Sequence, residues 1–221
     1  MKIKSTFLIL ILITFSCKKE TENKKETLSK KSEINRNITI DTIYKLLAKS
    51  SEIDTLEFTN HDPFLFIKTG NLFSKKDKSA IIVNCPTDTT YEIELYTKIE
   101  QKWIKNDEIN NLEVPYRQYE VQIMDYDFDG FLDIYLNINS SNGWSLSNGN
   151  LLTVNSVKRK FEKHIETKNL KNMFPDKKTK TILTDSVEYN PNGKRIWNLV
   201  YKWNNRKLEK TKQKIRNEKL F

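Results

Sequence analysis

Four aspartates lie within nine residues near the middle of this 221-residue chain: Asp125, Asp127, Asp129 and Asp133. Counted from the first, they occupy positions 1, 3, 5 and 9, and Gly130 occupies position 6. A calcium ion takes about six to eight oxygen ligands, so a short loop has to turn its carboxylates inward at alternate positions. Glycine at position 6 permits the sharp turn that this requires. The spacing predicts a calcium site formed by the four carboxylates and the backbone carbonyl of Phe131 at position 7.

The flanks of this loop distinguish it from an EF-hand. Position 12, where an EF-hand carries a chelating Glu, is occupied by Leu136. Apolar residues alternate on both sides with the period of a β-strand, at Val121, Ile123, Ile134, Leu136 and Ile138. We therefore expect a strand–loop–strand calcium site that Asp133 closes. The alternative is an acidic hairpin turn without a metal, in which four like charges would repel one another.

The first residues of the chain have the features of an export signal. Lys2 and Lys4 precede an uninterrupted apolar run from Phe7 to Ile13, which is too short for a stable transmembrane anchor. A small residue stands directly before Cys17. Residues 1–16 therefore resemble a bacterial lipoprotein signal peptide, and Cys17 is the predicted lipidation site. An ordinary secretory signal followed by a chance cysteine is the alternative.

Charge and composition divide the remainder of the chain. The segment from Lys18 to Ser32 holds six Lys and three Glu, so residues 17–33 are predicted to be a flexible tether that cannot bury enough surface to fold. A folded domain is expected over residues 34–211 and a basic tail over residues 212–221. The formal charge of +9 is concentrated at the two ends, which argues against nucleic-acid binding.

The predicted domain is mainly β. A short N-terminal helix is expected between Ile34 and Ser51, because Ile43, Leu46 and Leu47 would form one apolar face. From Leu56 onward, short apolar runs separated by turn residues favour strands.

Three stretches of the sequence align without gaps: Tyr96 to Lys105, Val154 to Lys163, and Tyr201 to Lys210. Each begins with an apolar β-former and carries a large apolar residue seven positions later, with a polar turn between. They predict three β-hairpins in a β-propeller-like array of antiparallel hairpin units. The region from Ile34 to Phe73 would supply another unit, or the sheets would form an open array. Hairpins of similar length that match by chance are the alternative.

The loop sequence D-Y-D-F-D-G-F-L-D from Asp125 to Asp133 resembles the calcium loop of FG-GAP/VCBS-type propeller repeats. Together with Phe161 to Lys163, Pro175-Asp176 and Tyr201-x-Trp203, it resembles a family of small bacterial envelope lipoproteins with a propeller-like fold and one calcium loop. A relative in that family is an immunity protein bound to a peptidoglycan-hydrolase toxin. The resemblance implies calcium as the cofactor and an inhibitory role, with Asp125, Asp127, Asp129, Phe131 and Asp133 as ligands.

No catalytic motif stands out in the sequence, so a binding module is expected rather than an enzyme. An envelope hydrolase with structural calcium, or a purely structural lipoprotein, is the alternative. Cys85 is expected to be a small buried residue, and His61 and His164 ordinary surface or loop residues.

The predicted partner-binding surface is the polar loop from Asn139 to Asn150, whose apolar members are Trp144 and Leu146. Trp144, Ser145 and Leu146 are the candidate contact residues, unless Trp144 folds back onto the sheet. We expect a monomer in the bacterial envelope, attached to the membrane through its lipid alone, with a wall hydrolase or toxin as its partner.

Overall fold

The computed structural model describes residues 40–87, 89–113, 119–139, 146–190 and 193–216. The predicted signal peptide, Cys17 and the tether lie outside these ranges. Within them the chain is mainly β, with an α-helix (α1) over residues 40–50 and a short 3₁₀ helix at Ile165–Asn169. The strands are β1 Leu56–His61, β2 Phe64–Gly70, β3 Ser79–Thr87, β4 Thr90–Ile99, β5 Lys102–Glu113, β6 Val121–Met124, β7 Asp133–Asn139, β8 Asn148–Asn155, β9 Lys160–His164, β10 Lys171–Asp176, β11 Thr181–Asn190, β12 Gly193–Asn204 and β13 Lys207–Arg216.

All strands pair in antiparallel fashion with neighbours in sequence, with one exception. Strands β1 to β5 form a five-stranded sheet in chain order. Strands β6 to β13 form an eight-stranded sheet in which β8 and β10 meet only at Asn148 and Lys171. The described chain therefore consists of three consecutive meanders, which we call the first (β1–β5), the second (β6–β9) and the third (β10–β13).

Three apolar clusters pack α1 and the meanders against one another. Helix α1 covers one face of the first meander, with Ile43 and Leu47 against Ile67 and Ile82. The opposite face, including Val83, packs on the second meander. Because β3 is covered on both sides, residues 80–83 form a continuous apolar run that is fully buried.

The remaining apolar cluster lies between the second and third meanders. In β7, Ile134 and Leu136 face the first meander, whereas Tyr135 points the opposite way. Tyr135 packs there with Met173 and Ile182 of the third meander. The period-two alternation of a strand thus places neighbouring residues of β7 in two separate cores.

The three aligned sequence stretches are β-hairpins, as predicted. Residues 96–105 connect β4 with β5, residues 154–163 connect β8 with β9, and residues 201–210 connect β12 with β13. The first and third have two-residue loops, and in both the register shifts immediately before the aligned tyrosine, Tyr96 or Tyr201. The second has a four-residue loop. A shared loop length and bulge position support an internal structural repeat.

Three boundaries differ from the sequence expectations. Strand β1 pairs with β2, and β2 pairs with β3, so both extend the first meander and do not form a unit of their own. Strand β13 continues to Arg216, because it keeps pairing with β12, and residues 212–216 of the predicted tail therefore belong to the sheet. Residues 148–150 of the predicted partner loop are the first residues of β8.

Candidate metal centre

The acidic loop joins β6 to β7, and its two ends are held together by the pairing of Met124 with Asp133. The predicted strand–loop–strand arrangement is therefore present. Phe128 and Gly130 adopt positive φ angles of 63° and 91°, which turn the chain back sharply. A Cβ at Gly130 would meet nothing within 4 Å, so the backbone conformation, and not space, favours glycine there.

Backbone N–H groups of the loop donate to its own carboxylates. Tyr126 and Asp127 donate to Asp133 Oδ2 at 2.7 and 3.1 Å. Gly130 donates to Asp125 Oδ2 at 3.2 Å. These bonds orient the side chains toward the inside of the loop before any ion is present.

Three of the four carboxylates converge. Single oxygens of Asp125, Asp127 and Asp133 all lie within 4.8 Å of one another. Asp125 Oδ1 is buried and has no hydrogen-bond partner in the described part of the chain. A buried acceptor without a donor is unfavourable, and a cation bound between the three side chains would satisfy it. The residues present therefore fit a metal ion with hard, oxygen-donor preferences.

The electrostatics of the cluster favour a positive charge. Asp133 is only 3% exposed; burial, followed by repulsion from Asp127, raises its pKa to about 8. Burial and the neighbouring carboxylates of Asp129 and Asp125 raise the pKa of Asp127 to about 6. A proton or a cation relieves the same repulsion, so an ion that binds here competes with protons.

Two of the predicted ligands are not part of the converging group. Asp129 Oδ1 accepts a hydrogen bond of 2.8 Å from the backbone N–H of Phe131, and Asp129 lies outside the triad. Its role as a ligand, like that of the Phe131 carbonyl, stays a prediction.

Contacts to both neighbouring meanders fix the loop in place. Trp203 Nε1, in β12, donates to the backbone carbonyl of Tyr126 at 2.8 Å. The N–H of Leu132 donates to the carbonyl of Leu72, next to the first meander, at 3.0 Å. Tyr126 also stacks on Tyr135 with ring centroids 5.7 Å apart. Sequence reasoning assigned no role to Trp203, although the repeat alignment had singled out its hairpin.

The expectation for the histidines is wrong for His164, which is 8% exposed at the end of β9. Its Nε2 lies 2.9 Å from Thr153 Oγ1, and its ring packs edge-on against Trp203 with centroids 4.8 Å apart. Burial lowers the pKa of His164. The aromatic contact with a residue far along the chain explains why sequence position did not indicate its burial.

The predicted partner-contact residues and Cys85 lie apart from the acidic loop in sequence. Trp144 and Ser145 lie outside the described residues. Leu146 is half-buried and precedes β8, and Cys85 is half-buried in β3.

No protein-family model, curated protein or solved structure matches this chain. Within the described ranges, no helix has the length and apolar character needed to cross a membrane.

Proposed function

We propose that this chain is a lipid-anchored, calcium-binding β-protein of the bacterial envelope that acts as a binding module. Two observations carry the calcium assignment: carboxylate oxygens of Asp125, Asp127 and Asp133 converge, and Asp125 Oδ1 is buried without a hydrogen-bond partner in the described part of the chain. The anchor rests on the signal-like first 16 residues and on Cys17.

Calcium is favoured over other metals by the ligand types. All the converging atoms are carboxylate oxygens, which suit Ca²⁺ or Mg²⁺ and not the softer metals that select sulfur or imidazole. Ca²⁺ tolerates irregular coordination geometry, whereas Mg²⁺ demands a near-ideal octahedron. Asp129 and the Phe131 carbonyl would complete the set, and the bound ion would neutralise the cluster and fix the β6–β7 junction.

The overall arrangement proposed for the meanders is a β-propeller-like array. Three successive antiparallel meanders and repeated outer hairpins support it. The resemblance noted above suggests inhibition of a peptidoglycan hydrolase as the purpose of such a module. Three of the carboxylates converge and accept hydrogen bonds from backbone N–H groups, which suits chelation better than acid–base catalysis.

Isothermal titration of CaCl₂ into chelator-treated protein tests the calcium site. We expect one binding event, lost in Asp125→Asn and in Asp127→Asn, and little competition from MgCl₂. Glu52→Gln, which removes an exposed carboxylate after α1, is the matched control. Absence of heat with correctly folded wild type would overturn the calcium assignment.

The anchor and the partner need separate experiments. Radiolabelled palmitate should enter the wild type and not Cys17→Ala. The purified protein should inhibit a wall-degrading enzyme that is recovered with it from solubilised envelopes. We expect inhibition in calcium and weaker inhibition in the presence of a chelator. Recovery of no enzyme under either condition would favour a purely structural lipoprotein.

A further inference from the structure

A groove of about 650 Å³ lies beside the third meander, and no residue of the acidic loop is among its lining residues. The side chains of Leu146 and Leu170 line it together with Leu199 and Tyr201 of β12. Its volume is in the usual range for ligand sites, about 300–1,000 Å³.

One side of this groove is a strand edge. Strand β10 pairs with β11 only as far as Asp185, because the 3₁₀ helix Ile165–Asn169 interrupts the chain before β10 begins. Strand β11 continues beyond that point. Among the described residues, Ser186, Val187 and Glu188 pair with β12 alone. Within the described part of the chain, these three residues form an unpaired edge of about 10 Å at roughly 3.3 Å per residue, and such an edge is a template for another strand.

A buried hydroxyl marks the same place. Thr184 lines the groove and is 2% exposed, and its Oγ1 has no hydrogen-bond partner in the described part of the chain. A buried hydroxyl without a partner is unfavourable. A ligand with a hydrogen-bonding group at this position would remove that penalty.

The charges along the groove are balanced. Lys171 and Asp185 both contribute to its wall, and Asp185 accepts hydrogen bonds from the amides of Asn172 and Asn198. A segment of high net charge of either sign is therefore disfavoured. Apolar walls beside an open strand edge match an extended peptide, whose backbone supplies donors and acceptors and whose alternate side chains enter the groove.

We infer that this groove binds an extended, uncharged peptide segment of a partner protein as an added strand along β11, opposite Ser186 to Glu188. Apolar side chains of the peptide seat on Leu146, Leu170 and Leu199, and one polar group meets Thr184. The inference rests on the binding-module part of the proposed function and names the chemistry of its partner.

The probe is a phage-displayed library of random linear dodecapeptides, panned against the full chain in calcium buffer. A selected peptide is synthesised unmodified and in two N-methylated versions, one methylated at odd and one at even positions. Strand addition needs the N–H groups of one edge only. We therefore expect one version to lose at least about tenfold in affinity by fluorescence polarisation and the other to bind nearly normally.

Side-chain variants locate the site. Leu146→Asp, at a position outside the three core clusters, should weaken peptide binding by about tenfold or more, and the isosteric Thr184→Val by about fivefold to tenfold. Val157→Asp, in the β8–β9 loop where Val157 is 92% exposed, is the matched control and should bind as the wild type does. Circular dichroism melts establish that each variant is folded.

Several results would overturn the inference. These are failure to select any peptide, equal binding of both N-methylated versions and the parent, or unchanged binding by folded Leu146→Asp. Dimers in sedimentation that Leu146→Asp dissolves would identify a second copy of this chain as the occupant instead.

The calcium assignment is tested separately in the same samples. Peptide binding by a wild type that takes up no calcium would overturn the calcium part alone. Calcium uptake by a protein that selects no peptide would overturn the groove alone.

Discussion

Removal of the proposed calcium ion is the most informative perturbation of this protein. An ion present at about 100 times its Kd stabilises the folded state by about 2.7 kcal/mol if the unfolded chain does not bind it. In a domain of about 150–250 residues, 1 kcal/mol shifts the Tm by about 2–4 °C. The wild type should therefore melt roughly 5–11 °C higher in saturating calcium than in EDTA. Thermal melting by circular dichroism measures the difference.

The size of this difference should depend on pH in a definite direction. In the ion-free protein the pKa of Asp133 is raised from 3.8 to about 8. The folded state then binds a proton that the unfolded state releases, so this contribution to stability is complete below 3.8 and is lost as the pH rises through about 8. The proposed calcium ion would replace that proton, so the stabilisation by calcium should grow as the pH rises across this window.

Substitution of Asp133 distinguishes stabilisation by calcium bound at this carboxylate from a general effect of salt on the Tm. Asp133→Asn keeps an oxygen for the N–H groups of Tyr126 and Asp127 but removes the charge. In EDTA above the pKa of Asp133, this variant should melt higher than the wild type, and calcium should not stabilise it further. Glu52→Gln should keep the full calcium response. A wild-type Tm that is the same in calcium and EDTA at every pH would refute the reasoning.

Three further predictions concern the packing around the loop. Trp203→Phe keeps an aromatic side chain but removes the indole N–H that donates to the carbonyl of Tyr126, so calcium affinity by titration should fall by about threefold to tenfold. Unchanged affinity would contradict the proposed role of this hydrogen bond. His164 has a lowered pKa, so its contribution is complete above its unfolded pKa and is lost as the pH falls below about 6.5; His164→Gln, melted in calcium, should lose less Tm on acidification than the wild type. Gly149→Ala would place a methyl group against the backbone carbonyl of Leu136, so the Tm should fall by roughly 2–12 °C. An unchanged Tm would show that β7 and β8 can separate there.

Local patterns predicted the parts of the site that depend on neighbouring residues. The alternation of Val121 and Ile123, and of Ile134 and Leu136, correctly indicated the strands on either side of the loop. The three aligned stretches correctly indicated hairpins, because a polar turn between apolar β-formers requires only residues close in sequence.

Contacts between distant residues were not predictable in this way. The hydrogen bond from Trp203 to Tyr126 spans 77 positions, and no spacing rule connects the two. The spacing of the acids also did not indicate which of them converge. Asp125, Asp127 and Asp129 share the same phase, but Asp129 binds the N–H of Phe131 and lies outside the converging group. Strand boundaries were missed where pairing, and not composition, decides them, as at Arg216.

The position of the acidic loop explains why one ion could influence the whole domain. The backbone of the loop is hydrogen-bonded at Leu132 to the chain beside the first meander and at Tyr126 to the third meander. Repulsion among the carboxylates therefore acts on a segment that holds neighbouring layers together. Trp203, which binds the loop, lies two residues after Tyr201, which lines the groove beside β11. We therefore expect calcium at the loop to tighten peptide binding through this hairpin, and by thermodynamic reciprocity a bound peptide should tighten calcium binding by the same factor.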